Sequence, residues 1–190
     1  MRIAVIGTGK IGGTLGQRWQ AAGHDVVYGS RQGAGEGPGG GPARPAADAV
    51  AGADVVLLAV PGRAVAEVIG PHGEALAGKV VIDATNSIGQ AVVNRRAEIA
   101  AAAPGARYAR AFSTLGWENF ADPLPGAVLF FAADPVARPA VEELITAVGL
   151  DPVYAGDADA SETVDCLLPL WFALVKQHGG NRRVALRVVT

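Results

Sequence analysis

Residues 2–29 read RIAVIGTGKIGGTLGQRWQAAGHDVVYG, and this stretch decides the fold. Its first apolar run, 2–6, predicts a strand that stops at Gly7, and a second run, 25–28, predicts another strand. Between the two runs, apolar side chains recur at the spacing of one helix face, at Ile11, Leu15 and Trp19. The stretch therefore predicts a strand, a glycine turn, a helix and a second strand, which together form a βαβ unit.

Strand-like and helical segments continue to alternate along the rest of the chain. Further strands are predicted at 54–60, 79–83, 106–112, 127–132 and 152–155, and helices at 46–51, 64–69, 95–103 and from Asp134-Pro135 up to Gly149. Short connections between alternating elements favour an α/β fold with a doubly wound parallel sheet and right-handed crossovers.

The pattern changes near residue 156. Asp159 and Glu162 have the spacing of a capping box, and a wide apolar stripe then predicts a helix that Pro169 would kink. The basic segment 181–189 predicts a second amphipathic helix. We therefore expect a single domain over 1–190, with a dinucleotide-binding core at 1–155 and a helical C-terminal extension at 156–190.

The segment 33–45, GAGEGPGGGPARP, offers little that a core could bury. Its glycines and prolines oppose both helix and sheet, so the sequence predicts a mobile surface loop.

Composition excludes several classes of protein. The chain has 190 residues, 50% of them hydrophobic, which is enough for a core without metal or disulfide support. Cys166 is the single cysteine, and the three histidines have no ligand spacing, so we expect no metal site and a reducing, cytoplasmic compartment. A net charge of -2 and short apolar runs argue against nucleic-acid and membrane partners. We also expect no signal peptide.

The glycine turn is the first candidate binding site. Gly7, Gly9 and Gly12 fit the pattern G-x-G-x-x-G, and so does 35–40, but only the first match follows a strand and opens a helix. In that context Gly7 permits the tight turn, Gly9 lets a pyrophosphate approach the backbone, and Gly12 lets helix and strand pack closely. The amides that begin the helix would face the phosphates.

The end of the second strand indicates which dinucleotide binds. The segment Tyr28-Gly29-Ser30-Arg31-Gln32 lacks the carboxylate that NAD-type sites commonly use for the ribose hydroxyls. Ser30 can donate a hydrogen bond to a 2′-phosphate and Arg31 can bind it through its guanidinium, so the sequence favours NADP(H).

Three further strand ends should surround the nicotinamide at the same edge of the sheet. They are Val60-Pro61, the run Asp83-Ala84-Thr85-Asn86, and the run Phe112-Ser113-Thr114-Leu115. We interpret Asp83 as a residue that positions a loop. No Ser-His-Asp, paired-carboxylate or HExxH arrangement can be assembled, and His24, His72 and His178 are interpreted as structural or solvated.

Four segments together resemble the family of coenzyme F420-dependent NADP oxidoreductases. They are the N-terminal βαβ stretch with its GSR ending, VVLLAVP, VIDATN and AFSTLGWENFADP, and the likeness extends to PVYAGDADAS and LLPLWFALV. The resemblance implies a Rossmann fold, a homodimer, and hydride transfer between nicotinamide C4 and deazaflavin C5.

The resemblance also implies roles for individual residues. The pyrophosphate would be bound by Thr8, Gly9, Lys10 and Ile11, and the 2′-phosphate by Ser30 and Arg31. Val60 and Pro61 would lie at the nicotinamide, and Ser113 to Leu115 would line the acceptor pocket. Some deazaflavin-reducing members carry a histidine where this chain has Ser113, which leaves the acceptor open.

The expected hydride transfer agrees with the lack of a candidate acid or base among the predicted site residues. Hydride transfer between two bound redox rings needs positioning rather than an acid or base, so no catalytic side chain is assigned. Two alternatives remain: an NADPH-dependent reductase of a small carbonyl or imine metabolite, and a non-catalytic NADP(H)-binding sensor. The apolar stripe around Leu167 to Leu174 predicts a contact with a second subunit, and its alternative is an intramolecular core helix.

Overall fold

Nine strands form one sheet in the computed structural model, which describes residues 1–30 and 33–189. The strands are β1 (Arg2–Ile6), β2 (Asp25–Ser30), β3 (Gly35–Glu36), β4 (Pro42–Pro45), β5 (Val55–Leu58), β6 (Val80–Asp83), β7 (Arg107–Arg110), β8 (Val128–Ala133) and β9 (Asp151–Gly156). Their spatial order is β3-β4-β2-β1-β5-β6-β7-β8-β9.

Six neighbouring strands, from β4 through β2, β1, β5 and β6 to β7, are parallel. This order is that of a doubly wound dinucleotide-binding sheet. The strands β2 and β4 lie on one side of β1, and β5, β6 and β7 lie on its other side, so the order of the strands reverses between β1 and β5. The sheet becomes mixed beyond this unit, because β8 is antiparallel to β7 and β9 is parallel to β8. The predicted α/β fold is therefore confirmed, with two antiparallel pairs outside the parallel unit, β7–β8 and the edge pair β3–β4.

Eight α-helices accompany the described strands. They are α1 (Lys10–Ala21), α2 (Ala46–Gly52), α3 (Val65–Ile69), α4 (Arg96–Ala102), α5 (Glu118–Ala121), α6 (Arg138–Val148), α7 (Ser161–Asp165) and α8 (Leu167–Gln177). Helices α1, α5 and α6 pack on one face of the sheet, and α2, α3 and α4 on the other.

Strand β1 shows why both faces must be covered. Ile3 and Val5 belong to the core under α1 and α6, whereas Ala4 and Ile6 belong to the core under α2 and α3. All four side chains are at most 4% exposed. A run of four residues that is apolar on both faces, as after the exposed Arg2, is typical of the centre of a parallel sheet.

The prediction of a mobile loop at 33–45 is wrong. Strand β4 pairs with β2, β3 pairs with β4, and Gly37 and Gly41 lie against the ring of Tyr28. That ring is fully buried, and a Cβ at either glycine would collide with it. Glycine is therefore needed here for close packing, and a Gly/Pro-rich composition alone could not reveal that a tyrosine orders the segment.

The predicted helix at 181–189 is also wrong. Residues 181–189 form no helix, and Leu186 forms an isolated antiparallel bridge with Val128 of β8. The arginines of this segment bind other parts of the chain: Arg182 pairs with Glu118, and Arg183 with Asp122. Their periodic spacing reflects these contacts rather than a polar helix face, so only 161–177 of the extension forms α-helix.

Details of the C-terminal helices also differ from prediction. Asp159 caps no helix and instead pairs with Arg96, while α7 begins at Ser161 with no side-chain cap. The helix is interrupted at Cys166, one turn before Pro169, as expected for a proline that cannot donate to the Asp165 carbonyl oxygen. The chain enters α6 at Asp134, as predicted: the Asp134 carboxylate accepts a hydrogen bond from the Val136 amide, its carbonyl oxygen accepts from the Arg138 amide, and the regular helix runs over Arg138–Val148.

Candidate functional site

The glycine turn between β1 and α1 has the geometry of a phosphate-binding loop. Gly7 has φ +112°, a conformation that favours glycine, and a Cβ there would overlap the Ala59 carbonyl oxygen. A Cβ at Gly12 would overlap the Gly7 carbonyl oxygen. The first and third glycines are therefore required by the packing of the turn itself.

The second glycine of the motif, Gly9, is not required by packing within the chain, so the space beside it shows whether a cofactor fits. A Cβ at Gly9 would meet no atom within 4 Å in the described structure, and Gly9 has an ordinary extended backbone with φ -71°. Since no contact within the chain requires glycine there, the open space at Gly9 fits the close approach of a pyrophosphate. Thr8, Gly9 and Lys10 are exposed, Ile11 is half-buried and Gly12 is buried.

The electrostatics of this turn favour an anion. Gly9 is the N-cap of α1, and the amide of Gly13 donates to its carbonyl oxygen at 2.8 Å. The amides of the first helical turn precede this bond and point out of the helix with the positive end of its dipole. The first turn of α1 contains no acidic residue.

Lys10 lies at this turn but its ammonium contacts an aromatic ring. Its Nζ lies 5.1 Å from the centroid of the Trp117 ring, in a cation–π contact. The side chain therefore joins the start of α1 to the segment that follows β7.

Of the two residues predicted to bind the 2′-phosphate, the structure describes Ser30 only. Ser30 ends β2, next to β1 and β4, and is half-buried at the carboxyl edge of the sheet. Arg31 lies outside the described residues, so its role stays a prediction from the sequence.

The register brings the predicted nicotinamide residues to one edge. Ile6 pairs with Leu58, Leu58 with Asp83, and Asp83 with Arg110, so the ends of β1, β5, β6 and β7 are level. Val60 and Pro61 follow β5, with Val60 half-buried and Pro61 exposed. Asn86 follows β6 and is half-buried. These residues therefore share the edge that holds the glycine turn.

Ser113, Thr114 and Leu115 follow β7 at the same edge but are more enclosed than predicted. Ser113 and Thr114 are 2% and 4% exposed, and the Ser113 hydroxyl has no hydrogen-bond partner among the described residues. Thr114 and Leu115 line an apolar recess together with Trp171 and Leu186. This recess lies under α8, so these two residues face the C-terminal extension.

Phe112 explains how the chain turns at the end of β7. It has φ +59°, the left-handed region that a phenylalanine rarely adopts. Its ring packs edge-on between Trp19 and Phe120, with centroids 5.6 Å apart in each pair. Packing thus holds a strained backbone directly beside Ser113, which is a frequent feature of functional sites.

The sequence patterns did not indicate Arg110, a fully buried arginine in this region. Arg110 is fully buried at the end of β7. Its Nε and Nη2 bind Asp165 Oδ1 at 2.7 and 2.6 Å, its Nη1 donates to the carbonyl oxygens of Asp83 and Thr85, and its Nη2 also donates to Asn86 Oδ1 at 2.9 Å. The signal was an arginine inside the otherwise apolar run 108–112.

Asp83 has the positioning role that was predicted for it. It is fully buried and accepts hydrogen bonds from the amide and hydroxyl of Thr85, the amide of Arg95 and the hydroxyl of Tyr108. Burial, and then the Asp83 charge, raise the pKa of Tyr108 well above its ordinary value. The Tyr108 hydroxyl therefore stays protonated and bound to Asp83.

Two of the three histidines make contacts within the fold, and His178 is exposed at the end of α8. His24 Nδ1 lies 3.3 Å from the N-terminal amine, and burial, followed by the charge of that amine, lowers its pKa. His72 lines a second apolar pocket beneath α2 and α3. Among residues 1–30 and 33–189, no group of three His, Cys, Asp or Glu side chains could hold a metal ion. In the same ranges, no helix has the length and apolar character to cross a membrane.

Fold and site together define an α/β protein of the Rossmann class with a glycine turn at its dinucleotide-binding edge. Residues 2–87, the N-terminal Rossmann region, match the family described as NADP oxidoreductase, coenzyme F420-dependent.

Solved structures show the same fold over the whole chain. A candidate F420-dependent NADP reductase from Arthrobacter sp. FB24 is 23% identical, with a TM-score of 0.84 and 100% of each chain covered. A hypothetical protein from Sinorhizobium meliloti is 31% identical, with a TM-score of 0.71, over 85% of this chain and 87% of that one. A reductive aminase from Aspergillus terreus, in complex with NADPH4, cyclohexanone and allyl amine, is 20% identical, with a TM-score of 0.69, over 93% of this chain and 62% of the longer aminase.

Proposed function

We propose that this protein transfers hydride between NADP(H) and a deazaflavin acceptor of the coenzyme F420 type. The similarity of residues 2–87 to the family of F420-dependent NADP oxidoreductases supports the NADP-dependent oxidoreductase part. The observation that carries the choice of acceptor is the lack of a group suited to proton transfer at the described ends of β5, β6 and β7. Asp83 and Tyr108 are buried and bound to one another, and the Lys10 ammonium contacts Trp117.

Such a site suits a reaction between two bound rings. A nicotinamide, when bound, supplies the carbon that gives or receives the hydride. The chain itself would bind the pyrophosphate at the glycine turn and the 2′-phosphate through Ser30 and Arg31. Its strand ends, at Val60-Pro61 and Asn86, would orient the nicotinamide. A carbonyl substrate would instead need a proton donor near its oxygen.

The acceptor is tested by mixing the protein with NADPH and oxidised deazaflavin, and separately with NADP⁺ and reduced deazaflavin. We expect the deazaflavin absorbance to change in at least one direction. Turnover of a cyclic imine with NADPH, and none of the deazaflavin, would support the reductase alternative. Binding of NADPH with no turnover of either acceptor would support a sensor.

The cofactor is tested with Arg31→Ala. A guanidinium–phosphate contact contributes about 1.5 to 3 kcal/mol, so the variant should lose about 10- to 150-fold in affinity for NADPH and little for NADH. Arg138→Ala, on a solvent-facing arginine that stacks on Tyr154, is the matched control and should change neither affinity. Equal losses for NADPH and NADH in Arg31→Ala would contradict the assignment.

A further inference from the structure

We infer that Asn86 acts as a hydrogen-bond donor to the nicotinamide carboxamide oxygen, and that the buried pair Arg110–Asp165 is the positioning device that fixes this orientation of its amide. The inference rests on the proposed binding of NADP(H). It assigns a role to Arg110 and Asp165, which lie behind the edge of the sheet rather than on it.

Each nitrogen of the Arg110 guanidinium donates a hydrogen bond to a neighbouring oxygen. A guanidinium has five N–H groups and no acceptor. Nε–H is directed at Asp165 Oδ1, the two hydrogens of Nη1 at the carbonyl oxygens of Asp83 and Thr85, and one hydrogen of Nη2 at Asn86 Oδ1. In addition, Nη2 lies 2.6 Å from Asp165 Oδ1 and Nη1 lies 3.4 Å from Asp83 Oδ1, in two buried ion pairs. Because the side chain is 0% exposed, water cannot replace any of these acceptors. Loss of one would leave a charged donor buried without a partner.

This arrangement determines which way the Asn86 amide faces. Only its oxygen can accept from Arg110, so the nitrogen must lie on the other side, where Nδ2 donates to the Ser113 carbonyl oxygen at 2.8 Å. A flipped amide would set N–H against N–H at Arg110 and oxygen against oxygen at Ser113. Both neighbours therefore select the same orientation.

One hydrogen of Asn86 remains for a ligand. The amide nitrogen carries two hydrogens, and within the described residues only Ser113 accepts from it. Asn86 is half-buried at the edge shared by the glycine turn and Val60-Pro61, on the β5–β6–β7 side of the turn. In a doubly wound sheet the nicotinamide half of the dinucleotide lies on that side. The carboxamide oxygen is the acceptor that the nicotinamide group itself offers, whereas the ribose and phosphate oxygens of this half are shared with 2′-phospho-ADP-ribose.

Asp165 is itself held in place. Its Oδ2 accepts a hydrogen bond from Asn94 Nδ2 at 2.7 Å, and the Asn94 oxygen accepts from the Arg96 amide. The start of α4 and the end of α7 thus fix Asp165, which fixes Arg110. The C-terminal extension is in this way coupled to an amide at the cofactor edge.

The test compares two ligands by calorimetry: NADP⁺ and 2′-phospho-ADP-ribose, which lacks the nicotinamide. Asn86→Ala should weaken NADP⁺ binding about five- to tenfold, the value of one hydrogen bond, and leave 2′-phospho-ADP-ribose within about twofold. Asn86→Asp should show the same selective loss, since its carboxylate can still accept from Arg110 but cannot donate.

Arg110→Lys tests the positioning role. Lysine keeps the charge but cannot reach all of these acceptors, so we expect the same selective loss, with no additional loss in the double variant Arg110→Lys/Asn86→Ala. Arg107→Lys, on the exposed end of the same strand, should change neither ligand. If Arg110→Lys fails to fold, Asp165→Asn replaces it and carries the same expectation.

The outcomes distinguish a failure of the roles inferred for Asn86 and Arg110 from a failure of the proposed NADP(H) binding. If the unaltered protein binds 2′-phospho-ADP-ribose and NADP⁺, but the Asn86 variants lose both equally or neither, the inference is overturned and the proposed cofactor stands. Additive losses in the double variant would overturn the role of Arg110. If the unaltered protein binds neither ligand, the proposed function fails, and the inference fails with it.

Discussion

Single residues in the glycine turn have separable roles. Gly9→Ala places a methyl group in open space, so the free energy of unfolding should fall by no more than about 1 kcal/mol, the effect of alanine at an N-cap. The same methyl group would occupy the space of the pyrophosphate. We expect NADP(H) affinity to fall about tenfold or more, corresponding to about 1.4 kcal/mol. Calorimetry and thermal unfolding measure the two effects.

Gly12→Ala is the matched comparison. Its Cβ would overlap the Gly7 carbonyl oxygen, so helix and strand must separate, at a cost of about 1–3 kcal/mol in stability. A melting temperature unchanged in Gly12→Ala, or lowered as much in Gly9→Ala, would contradict this division of roles.

Substitution of Tyr28, unlike that of Gly12, should not lower the free energy of unfolding. Its ring is fully buried, while its hydroxyl is buried with no hydrogen-bond partner in the described ranges, and burial raises its pKa. Tyr28→Phe keeps the ring against Gly37 and Gly41 and removes the unpaired hydroxyl. We expect the free energy of unfolding to stay the same or rise by up to about 1 kcal/mol in urea titrations. A clear loss of stability would show that the hydroxyl has a partner.

Among the elements, the start of β1 is joined to β5 by an ion pair that responds to pH. Asp54 accepts from the amide and guanidinium of Arg2, and these hydrogen bonds lower its pKa to about 2 from 3.8. A lowered carboxylate pKa in the folded state stabilises the protein above pH 3.8, and this contribution is lost as pH falls towards 2.

Asp54→Asn should therefore be less stable at pH 7 by about 1 kcal/mol or less, because the pair is solvent-exposed. The difference from the unaltered protein should shrink at pH 2.5, as measured by urea unfolding at both values. A difference that grows in acid would contradict the assigned sign.

Local periodicity was sufficient to predict most elements of the parallel unit. β1, α1, β2, β5 and β6 are each determined by a short run of apolar residues whose burial depends on neighbours close in sequence. The failures at 33–45 and 181–189 have another origin. Both segments are ordered by residues far along the chain or on another element, namely Tyr28 for the first and Glu118, Asp122 and Val128 for the second.

In the candidate site, too, the features set by residues close in sequence were predicted, and those set by distant residues were not. The glycine turn and the strand ends follow from spacing and strand direction, and the register places them at one edge. The hydrogen bonds of Arg110 to Asp165 and Asn86 join residues up to 55 positions apart, which no local pattern indicates. The sequence could mark Arg110 only as an unusual charge within a strand.

At the scale of the whole molecule, we propose a homodimer formed through the outer face of α8. Leu168 and Trp171 are buried within the chain, whereas Leu170 and Phe172 are 46% and 38% exposed. The helix is thus partly a core helix, and its second apolar face is available to another copy. Light scattering should give about twice the chain mass of 19.2 kDa.

Leu170→Asp should reduce this mass to that of one chain, because an isolated charge cannot be buried in an apolar contact. Val136→Asp, at an equally apolar exposed position before α6, should leave the dimer intact. A single-chain mass for the unaltered protein would remove the proposed interface.

The central claim is that the edge holding the glycine turn binds a 2′-phosphorylated dinucleotide. Titration of the unaltered protein with NADP⁺ and with NAD⁺ in a calorimeter tests this most directly. We predict one saturable site per chain and an affinity for NADP⁺ about 10- to 150-fold above that for NAD⁺. No heat with NADP⁺ or NADPH, or equal affinity for the two dinucleotides, would contradict it.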